Sequence, residues 1–258
     1  MNCKSKGFEP FINFATMSLF KDMLRGVGAN RAWHAVRYRL VKYQRERNSL
    51  RLRKEIEWLG WKWCGFFVDT ALLNRDSVIL SFGVGTDISF DLSLQRRGVK
   101  HIYLFDPTPV ASEFINTLHL PATFSFYPFG LSDHDGKQIF YLPSKSHRVS
   151  GSSLHLDHLQ SQKNIEVEMK TISTIMKELN LRQIDLLKMD IEGSEFVVIN
   201  NMMAEKIYPR QLCVEFHARY FEDGKQKMKN TIALLEEHKY EVSAYTDGEE
   251  YLFCLKDK

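Results

Sequence analysis

The chain has 258 residues, of which 44% are hydrophobic and 26% are charged. This length and composition suit one large packed domain, or one domain with an appendage. They exclude a disordered, collagen-like or membrane class.

The first 65 residues form a basic segment that we predict to be helical, ahead of a main domain at residues 66–258. Residues 21–54 hold eleven Lys and Arg against two acidic residues. The positive charge of this stretch therefore exceeds the net charge of +3 of the whole chain. Between residues 17 and 59 the apolar residues recur near helical spacing. The segment is interpreted either as a solvated helical appendage or as a docking element for an anionic polymer, lipid headgroup or nucleic acid. No nucleic-acid motif supports the second interpretation.

Several features predict a cytoplasmic location without a membrane span. The four cysteines lie far apart and lack the spacing of a zinc site, which is typical of a reducing compartment. The start of the chain lacks the apolar core and cleavage site of a secretory signal. No apolar stretch reaches the roughly 20 residues that a membrane helix needs.

From residue 77 onward, apolar strands alternate with helical segments. Strands are predicted at residues 77–82, 101–106, 122–131, 138–143, 165–169, 184–190 and 211–217, with a closing hairpin around Asp247-Gly248. Helices are predicted up to residue 97, near 110–118, after a Thr171 cap, from about Ser194, and at 224–239. This alternation predicts a doubly wound, mostly parallel seven-stranded sheet, and such sheets bind ligands at the carboxyl ends of their strands.

The ends of the first two strands favour an adenosine-type cofactor. Gly83 and Gly85 follow the first strand and let the backbone approach a ligand. Asp106 ends the second strand, where a carboxylate can accept hydrogen bonds from ribose hydroxyls. Ile88 stands where the dinucleotide pattern has its third glycine, which argues against a nicotinamide dehydrogenase. The alternative is an ordinary turn with a solvated aspartate.

The later strand ends carry more polar candidates. Asp133 follows the third strand, as a partner of an adenine amine or as a plain turn residue. Lys188 and Asp190 alternate onto one side of the fourth strand, and Glu215 and His217 onto one side of the fifth.

A polar loop at residues 147–163 contains three histidines and several serines. It is interpreted either as an acceptor-binding lid or as a surface excursion. As a lid, its hydroxyl and imidazole groups suit a polar, sugar-like acceptor.

Together, the stretches SFGVGTD, YLFDP, GLSDHDG, SGSSL, LLKMDIEGSE and VEFH resemble the FkbM-type family of S-adenosylmethionine-dependent methyltransferases. The resemblance covers roughly residues 77–256, and KxDxEGxE is its most specific motif. It implies a Rossmann-like class I methyltransferase fold that binds the cofactor with Gly83, Gly85 and Asp106 and methylates hydroxyls of sugars or polyketide-type metabolites.

The sequence departs from this family at the first strand. The family usually places an aspartate before the glycine turn, whereas here Ser81 stands there and Asp87 lies just beyond the glycines. We expect the Ser81 hydroxyl to bond to the methionine amine of the cofactor, with Asp87 supplying the missing charge.

Methyl transfer requires an aligned acceptor oxygen and removal of its proton. His217 is the predicted general base, Asp190 the residue that positions the acceptor or the sulfonium end of the cofactor, and Lys188 a further catalytic residue in the same crevice. Alternatively, Asp190, Glu215 and His217 hold Mg or Mn.

The helix that follows the fourth strand offers structural explanations for its own polar residues. Gly193 permits the sharp exit from the strand, and Glu195 favours the first turn of the helix. The role of Glu192 stays open.

The sequence thus predicts a methyltransferase that uses S-adenosylmethionine to methylate a hydroxyl of a carbohydrate or similar polyol. Two alternatives remain. One is methylation of nucleic acid or protein with help from the basic segment, and the other is a non-catalytic interaction protein that keeps the fold. The expected partner is a small-molecule or glycan acceptor, and the sequence does not indicate an oligomeric state.

Overall fold

A seven-stranded sheet organises the main domain. The computed structural model describes residues 54–141, 164–246 and 249–256. The predicted helices of the basic segment up to residue 53, the predicted polar loop at 147–163 and the Asp247-Gly248 turn lie outside the described residues, so these predictions stay as they are.

The described residues form strands, helices and two short 3₁₀ turns. The strands are β1 Ile56–Leu59, β2 Phe66–Asp69, β3 Val78–Phe82, β4 His101–Phe105, β5 Phe124–Tyr127, β6 Gly130–Leu131, β7 Gly136–Tyr141, β8 Asn164–Lys170, β9 Leu186–Met189, β10 Gln211–Glu215, β11 Tyr240–Tyr245 and β12 Glu250–Leu255. The helices are α1 Ser89–Arg96, α2 Pro109–Asn116, α3 Ile172–Glu178, α4 Glu195–Ala204 and α5 Gly224–Glu237, and the 3₁₀ turns are Thr70–Leu72 and Ala218–Tyr220.

The large sheet has the strand order β11-β12-β10-β9-β3-β4-β5. Strands β3, β4, β5, β9 and β10 are parallel, and β12 runs antiparallel to both β10 and β11. The chain moves from β3 outward to β4 and β5, then returns to the other side of β3 with β9. The predicted doubly wound, mostly parallel seven-stranded sheet is confirmed, and its switch point lies between β3 and β9.

Apolar side chains cover both faces of this sheet. One cluster packs α3, α4 and α5 against the sheet, and the other packs α1 with β1 and β2 against it. All four residues of β9 are buried, as a strand between two covered faces requires. Thr171 caps α3 as predicted, because its hydroxyl accepts a hydrogen bond from the Thr174 amide at 3.2 Å.

Two elements differ from the sequence prediction. Residues 56–59, assigned to the basic helical segment, form β1, because Ile56 and Leu59 are buried and the backbone pairs antiparallel with β2. The single strand predicted at 122–131 is divided into β5 and β6, with Pro128, which has no amide donor for a ladder, between them. Strand β6 leaves the large sheet and pairs with β8 in a three-stranded sheet of order β6-β8-β7.

None of the helices in the described part of the chain has the length and apolar character required to cross a membrane.

Candidate functional site

A cavity of about 970 Å³, its open mouth included, lies at the carboxyl ends of β3, β4 and β9. This is the edge where the strand order reverses, and it is where ligands bind in doubly wound sheets. Its wall includes the glycine turn after β3, the start of α1, the segment after β4, and the residues that follow β9. The polar residues of the wall are Thr86, Asp87, Asp91, Asp106, Thr108, Lys188, Asp190 and Glu192.

The glycine turn packs directly on the end of β9. Gly83 has φ 81° and Gly85 has φ 52°, the left-handed region that favours glycine. A Cβ at Gly83 would lie 1.9 Å from the carbonyl oxygen of Asp190. Only glycine therefore lets the turn close onto β9 and leaves the backbone exposed to the cavity.

Asp106 ties the end of β4 to the glycine turn. Its Oδ2 accepts a hydrogen bond from the Gly85 amide at 2.8 Å, and its Oδ1 accepts from the amide and hydroxyl of Thr108 at 2.8 and 2.5 Å. A carboxylate has about four acceptor positions, so capacity remains for a hydroxyl donor in the cavity. Asp106 thus lies in the cavity wall at the end of β4, and its contact with a ribose stays a prediction.

The far side of the cavity is apolar. It is formed by residues from β4, β6, β7 and β8, among them Phe105, Leu131, Phe140 and Met169. Asp133 does not line the cavity. Its side chain is partly exposed, and its Oδ1 lies 2.8 Å from Nδ1 of the neighbouring His134. The predicted contact between Asp133 and an adenine amine is therefore not supported by its position.

Ser81 and Asp87 occupy different positions relative to the cavity, and their predicted roles toward the cofactor stay predictions. Ser81 is fully buried within β3 and is not part of the cavity wall. Asp87 lines the cavity, but its Oδ1 accepts hydrogen bonds from the amide and hydroxyl of Ser89 at 2.8 and 2.6 Å. Asp87 thus shapes the entry to α1.

Asp91 is a wall residue that the sequence reasoning missed. It is the third residue of α1, it is only 3% exposed, and its Oδ1 has no hydrogen-bond partner among the described residues. Burial raises the pKa of its carboxyl to about 6, against the opposing effects of the Lys188 charge and the Ser81 hydroxyl. The sequence did contain a signal that Asp91 faces inward. Asp91 lies three residues from both Ile88 and Leu94, which are buried on the same face of the helix.

Lys188 is a buried cation that joins the two central strands. Its Nζ donates a hydrogen bond to the carbonyl oxygen of Gly83 at 2.7 Å and lies 5.5 Å from the centre of the Phe66 ring. Asp190 Oδ2 is 3.9 Å away. Lys188 faces the crevice as predicted, and its contacts hold the glycine turn in place.

Four carboxylates surround the imidazole of His217. Glu195 Oε1 lies 2.8 Å from Nδ1, whereas Glu192 Oε2, Glu215 Oε1 and Asp190 Oδ1 lie 3.3, 3.7 and 3.8 Å from Nε2. Burial disfavours the imidazolium, but the hydrogen bond and charge of Glu195, together with the charges of Glu192 and Asp190, outweigh it and raise the pKa of His217 to about 10. In the metal-free protein the raised pKa favours the protonated imidazole at neutral pH, and an imidazolium cannot accept the proton that the predicted general base must take.

Glu195 does more than favour the first turn of α4. It is fully buried, and its Oε1 accepts hydrogen bonds from the amides of Ile191 and Gly193 at 3.1 and 3.2 Å as well as contacting His217. The predicted first-turn position is confirmed. The same carboxylate also fixes the segment after β9 and the orientation of the imidazole.

Glu192, whose role the sequence left open, lies in the cavity wall. It adopts φ 53°, followed by Gly193 at φ 106°, and its Oε2 accepts a hydrogen bond from the Tyr220 hydroxyl at 2.5 Å. A non-glycine residue in this region is uncommon and occurs often at functional sites. The backbone turn at Glu192 and Gly193 thus presents a second carboxylate beside Asp190.

The potential metal ligands differ from those predicted. Asp190, Glu192 and His217 each offer one ligand atom, and these atoms lie within 4.8 Å of one another. Glu215, the third ligand expected from sequence, is outside this group and outside the cavity wall. Burial and the nearby Asp190 raise the pKa of Glu215 to about 8, which favours its neutral form at pH 7.

Two solved structures are similar to the chain at low sequence identity. No curated protein matches the chain. The solved structure of methyltransferase FkbM from Methylobacillus flagellatus KT is similar at 11% identity and a TM-score of 0.48, covering 94% of this chain and 58% of that one. The chain thus spans little more than half of that protein. The Methanococcus jannaschii pre-rRNA processing protein fibrillarin is similar at 14% identity and a TM-score of 0.42, covering 72% of this chain and 69% of that one.

The FkbM methyltransferase domain matches residues 76–242, well over half of the chain. This range includes the glycine turn, Asp106, the segment after β9 and His217. The protein therefore belongs to the FkbM methyltransferase family.

Proposed function

We propose that the protein transfers a methyl group from S-adenosylmethionine to a hydroxyl of a carbohydrate or similar polyol. The observation that carries this proposal is the continuity of one cavity wall. It runs from Gly83, Gly85 and Asp106 at one end to Asp190 and Glu192 at the other. A nucleoside-binding end therefore adjoins a pair of carboxylates.

The residues at the first end fit the cofactor. Asp106 keeps an acceptor position for a ribose hydroxyl, and Gly83 brings bare backbone to the cavity. The apolar wall around Leu131, Phe140 and Met169 suits a flat base. When bound, the cofactor supplies an electrophilic methyl group on its sulfonium.

The residues at the second end suit an acceptor with hydroxyl groups. Asp190 and Glu192 are adjacent acceptor carboxylates, which neighbouring hydroxyls of a polyol can satisfy as donors. Because the raised pKa of His217 favours its protonated form when no metal is bound, we assign acceptance of the hydroxyl proton to Asp190. Tyr220 and the charge of His217 hold Glu192 in place beside it.

We further propose that a divalent cation, Mg or Mn, can occupy this second end. Two carboxylates and an imidazole form a donor set that suits these metals, and Glu195 orients the imidazole from behind. Asp190, Glu192 and His217 would hold the metal, and His217 would have to release its Nε2 proton to do so. The bound metal would lower the pKa of a hydroxyl bound to it.

Transfer of a labelled methyl group tests the function. The protein is incubated with methyl-labelled S-adenosylmethionine and a panel of glycans and polyols, with and without EDTA. We expect label on a polyol with the wild type and with the exposed control Glu205→Gln, and a large loss with Asp190→Asn. Label on protein or RNA instead of any polyol would contradict the proposed acceptor, and full activity of Asp190→Asn would contradict the proposed base. Loss in EDTA that added Mn restores would support the metal.

Binding measurements on the same protein preparation distinguish the alternative functions. The basic segment lies outside the described residues, so its part in acceptor binding stays a prediction, as does the cytoplasmic location. Failure to bind S-adenosylmethionine at any concentration tested would favour the non-catalytic interaction protein.

A further inference from the structure

The buried carboxylate of Asp91 lies where α1 meets the glycine turn. Asp91 is part of the cavity wall together with Gly83 and Gly85, although only 3% of it is exposed. It comes from the first turn of the helix, and its neighbours Phe90 and Leu94 pack in the apolar core. The backbone therefore holds this carboxylate rigidly at the floor of the cavity.

One oxygen of this carboxylate has no partner. Asp91 Oδ1 accepts no hydrogen bond of normal geometry from the described residues. The Ser81 hydroxyl is close enough to lower the pKa of the carboxyl, but its own oxygen also lacks a partner of normal geometry. Lys188, whose charge lowers the pKa of Asp91, directs its ammonium to the carbonyl oxygen of Gly83. A buried, unpaired carboxylate is costly, so its retention calls for a ligand group that pairs with it.

The other acidic groups near the turn are already engaged. Asp87 Oδ1 accepts two hydrogen bonds from Ser89, and Asp106 holds Gly85 and Thr108. Ser81 is fully buried and outside the wall. Among the carboxylates of the cavity wall near the glycine turn, Asp91 is the one whose buried oxygen accepts no hydrogen bond from the described residues.

From this geometry we infer that Asp91 binds the positively charged α-amino group of the methionine part of the cofactor. This inference rests on the proposed function. An ammonium at this place would give Asp91 Oδ1 a charged donor and would cancel the buried charge. Asp91 would then take the role toward the methionine amine that the sequence assigns to Ser81 and Asp87.

The experiment compares two adenosine ligands that differ in the amino-acid group. S-adenosylhomocysteine carries the ammonium, whereas 5′-methylthioadenosine lacks the amino-acid group entirely. Calorimetry measures both with the wild type, Asp91→Asn and the competing carboxylate variant Asp87→Asn. We expect Asp91→Asn to weaken S-adenosylhomocysteine by about 10- to 100-fold and to leave 5′-methylthioadenosine unchanged.

Each other result has a distinct meaning. Equal weakening of both ligands by Asp91→Asn, or no weakening of either, would overturn the inference, as would selective weakening by Asp87→Asn. Thermal unfolding of Asp91→Asn without ligand adds a second readout. Removal of an unpaired buried charge should not lower the Tm. A lower Tm would indicate a structural role for Asp91 and would overturn the inference. If Asp91→Asn does not fold, Asp91→Ser takes its place. Failure of the wild type to bind either ligand would contradict the proposed function itself.

Discussion

Glu195 and His217 form a buried ion pair in which Glu195 Oε1 lies 2.8 Å from His217 Nδ1. The same carboxylate accepts hydrogen bonds from the amides of Ile191 and Gly193. One side chain at the start of α4 therefore fixes both the segment after β9 and the imidazole after β10. This arrangement turns His217 Nε2 toward Asp190 and Glu192.

Glu195→Gln should destabilise the protein and lower the pKa of His217. The neutral amide accepts weaker hydrogen bonds and no longer favours the imidazolium, so the free energy of unfolding should fall by about 1–3 kcal/mol. Urea unfolding measures the first effect, and NMR titration of the His217 ring in EDTA measures the second. The control Glu205→Gln lies at the exposed end of α4 and should change stability by less than about 0.5 kcal/mol. Equal stability of the two variants would contradict this role of Glu195.

Asp91 should make the stability of the ligand-free protein depend on pH. Burial raises the pKa of its carboxyl to about 6, so the folded state binds this proton more tightly than the unfolded state does. The contribution of Asp91 to the free energy of unfolding is therefore greatest below pH 4 and falls as the pH rises to about 6.

The comparison of the wild type with Asp91→Asn isolates this effect from other titrating groups. Between pH 4 and pH 7, the free energy of unfolding of the variant should gain about 2 kcal/mol relative to that of the wild type. Urea unfolding at a series of pH values measures the difference. If the difference in free energy of unfolding between the wild type and Asp91→Asn does not change with pH, the Asp91 carboxyl titrates normally and its charge is compensated.

Much of the fold could be predicted because the apolar strands are separated by clear turn signals. The runs at β3, β4 and β9 are buried on both faces, and the glycines after β3 mark the turn that the structure shows. The division of β5 from β6 was missed, because the apolar pattern continues across Pro128 while the backbone ladder does not.

The site was predicted less completely because side-chain direction depends on local backbone geometry. Strand alternation correctly placed Lys188 and Asp190 on the crevice side. It could not place Glu192, whose direction follows from its own positive φ and that of Gly193. Asp91 was missed as a residue of the cavity wall for another reason. A carboxylate in the first turn of a helix is usually explained by its favourable interaction with the helix dipole.

Manganese titration tests the proposed metal ligands. Wild-type protein should bind Mn²⁺ without cofactor, and Glu192→Gln should weaken the binding by roughly 10-fold or more, because one anionic ligand is lost. The EPR signal of free Mn²⁺ gives the affinity. Glu166→Gln, an exposed carboxylate on β8 that pairs with Lys137, is the control and should bind like the wild type. Equal affinities for the wild type and Glu192→Gln would contradict the assignment of Glu192 as a ligand.

Gly83 offers the most direct test that the cavity at the glycine turn binds the cofactor. Gly83→Ala combines a strained positive φ with a close approach to the Asp190 carbonyl oxygen. Gly98→Ala is the matched control, since Gly98 has φ 93° but no atom within 4 Å of an added Cβ. The two variants share the backbone strain and differ in the contact with the end of β9.

The deciding measurement is calorimetric binding of S-adenosylhomocysteine to the wild type and these two variants. We predict binding by the wild type, similar affinity for Gly98→Ala, and an affinity at least about 10-fold weaker for Gly83→Ala, because the added methyl group displaces the turn that forms the cavity wall. Absence of binding by the wild type, or equal affinity for Gly83→Ala, would contradict the assignment of this cavity to the cofactor.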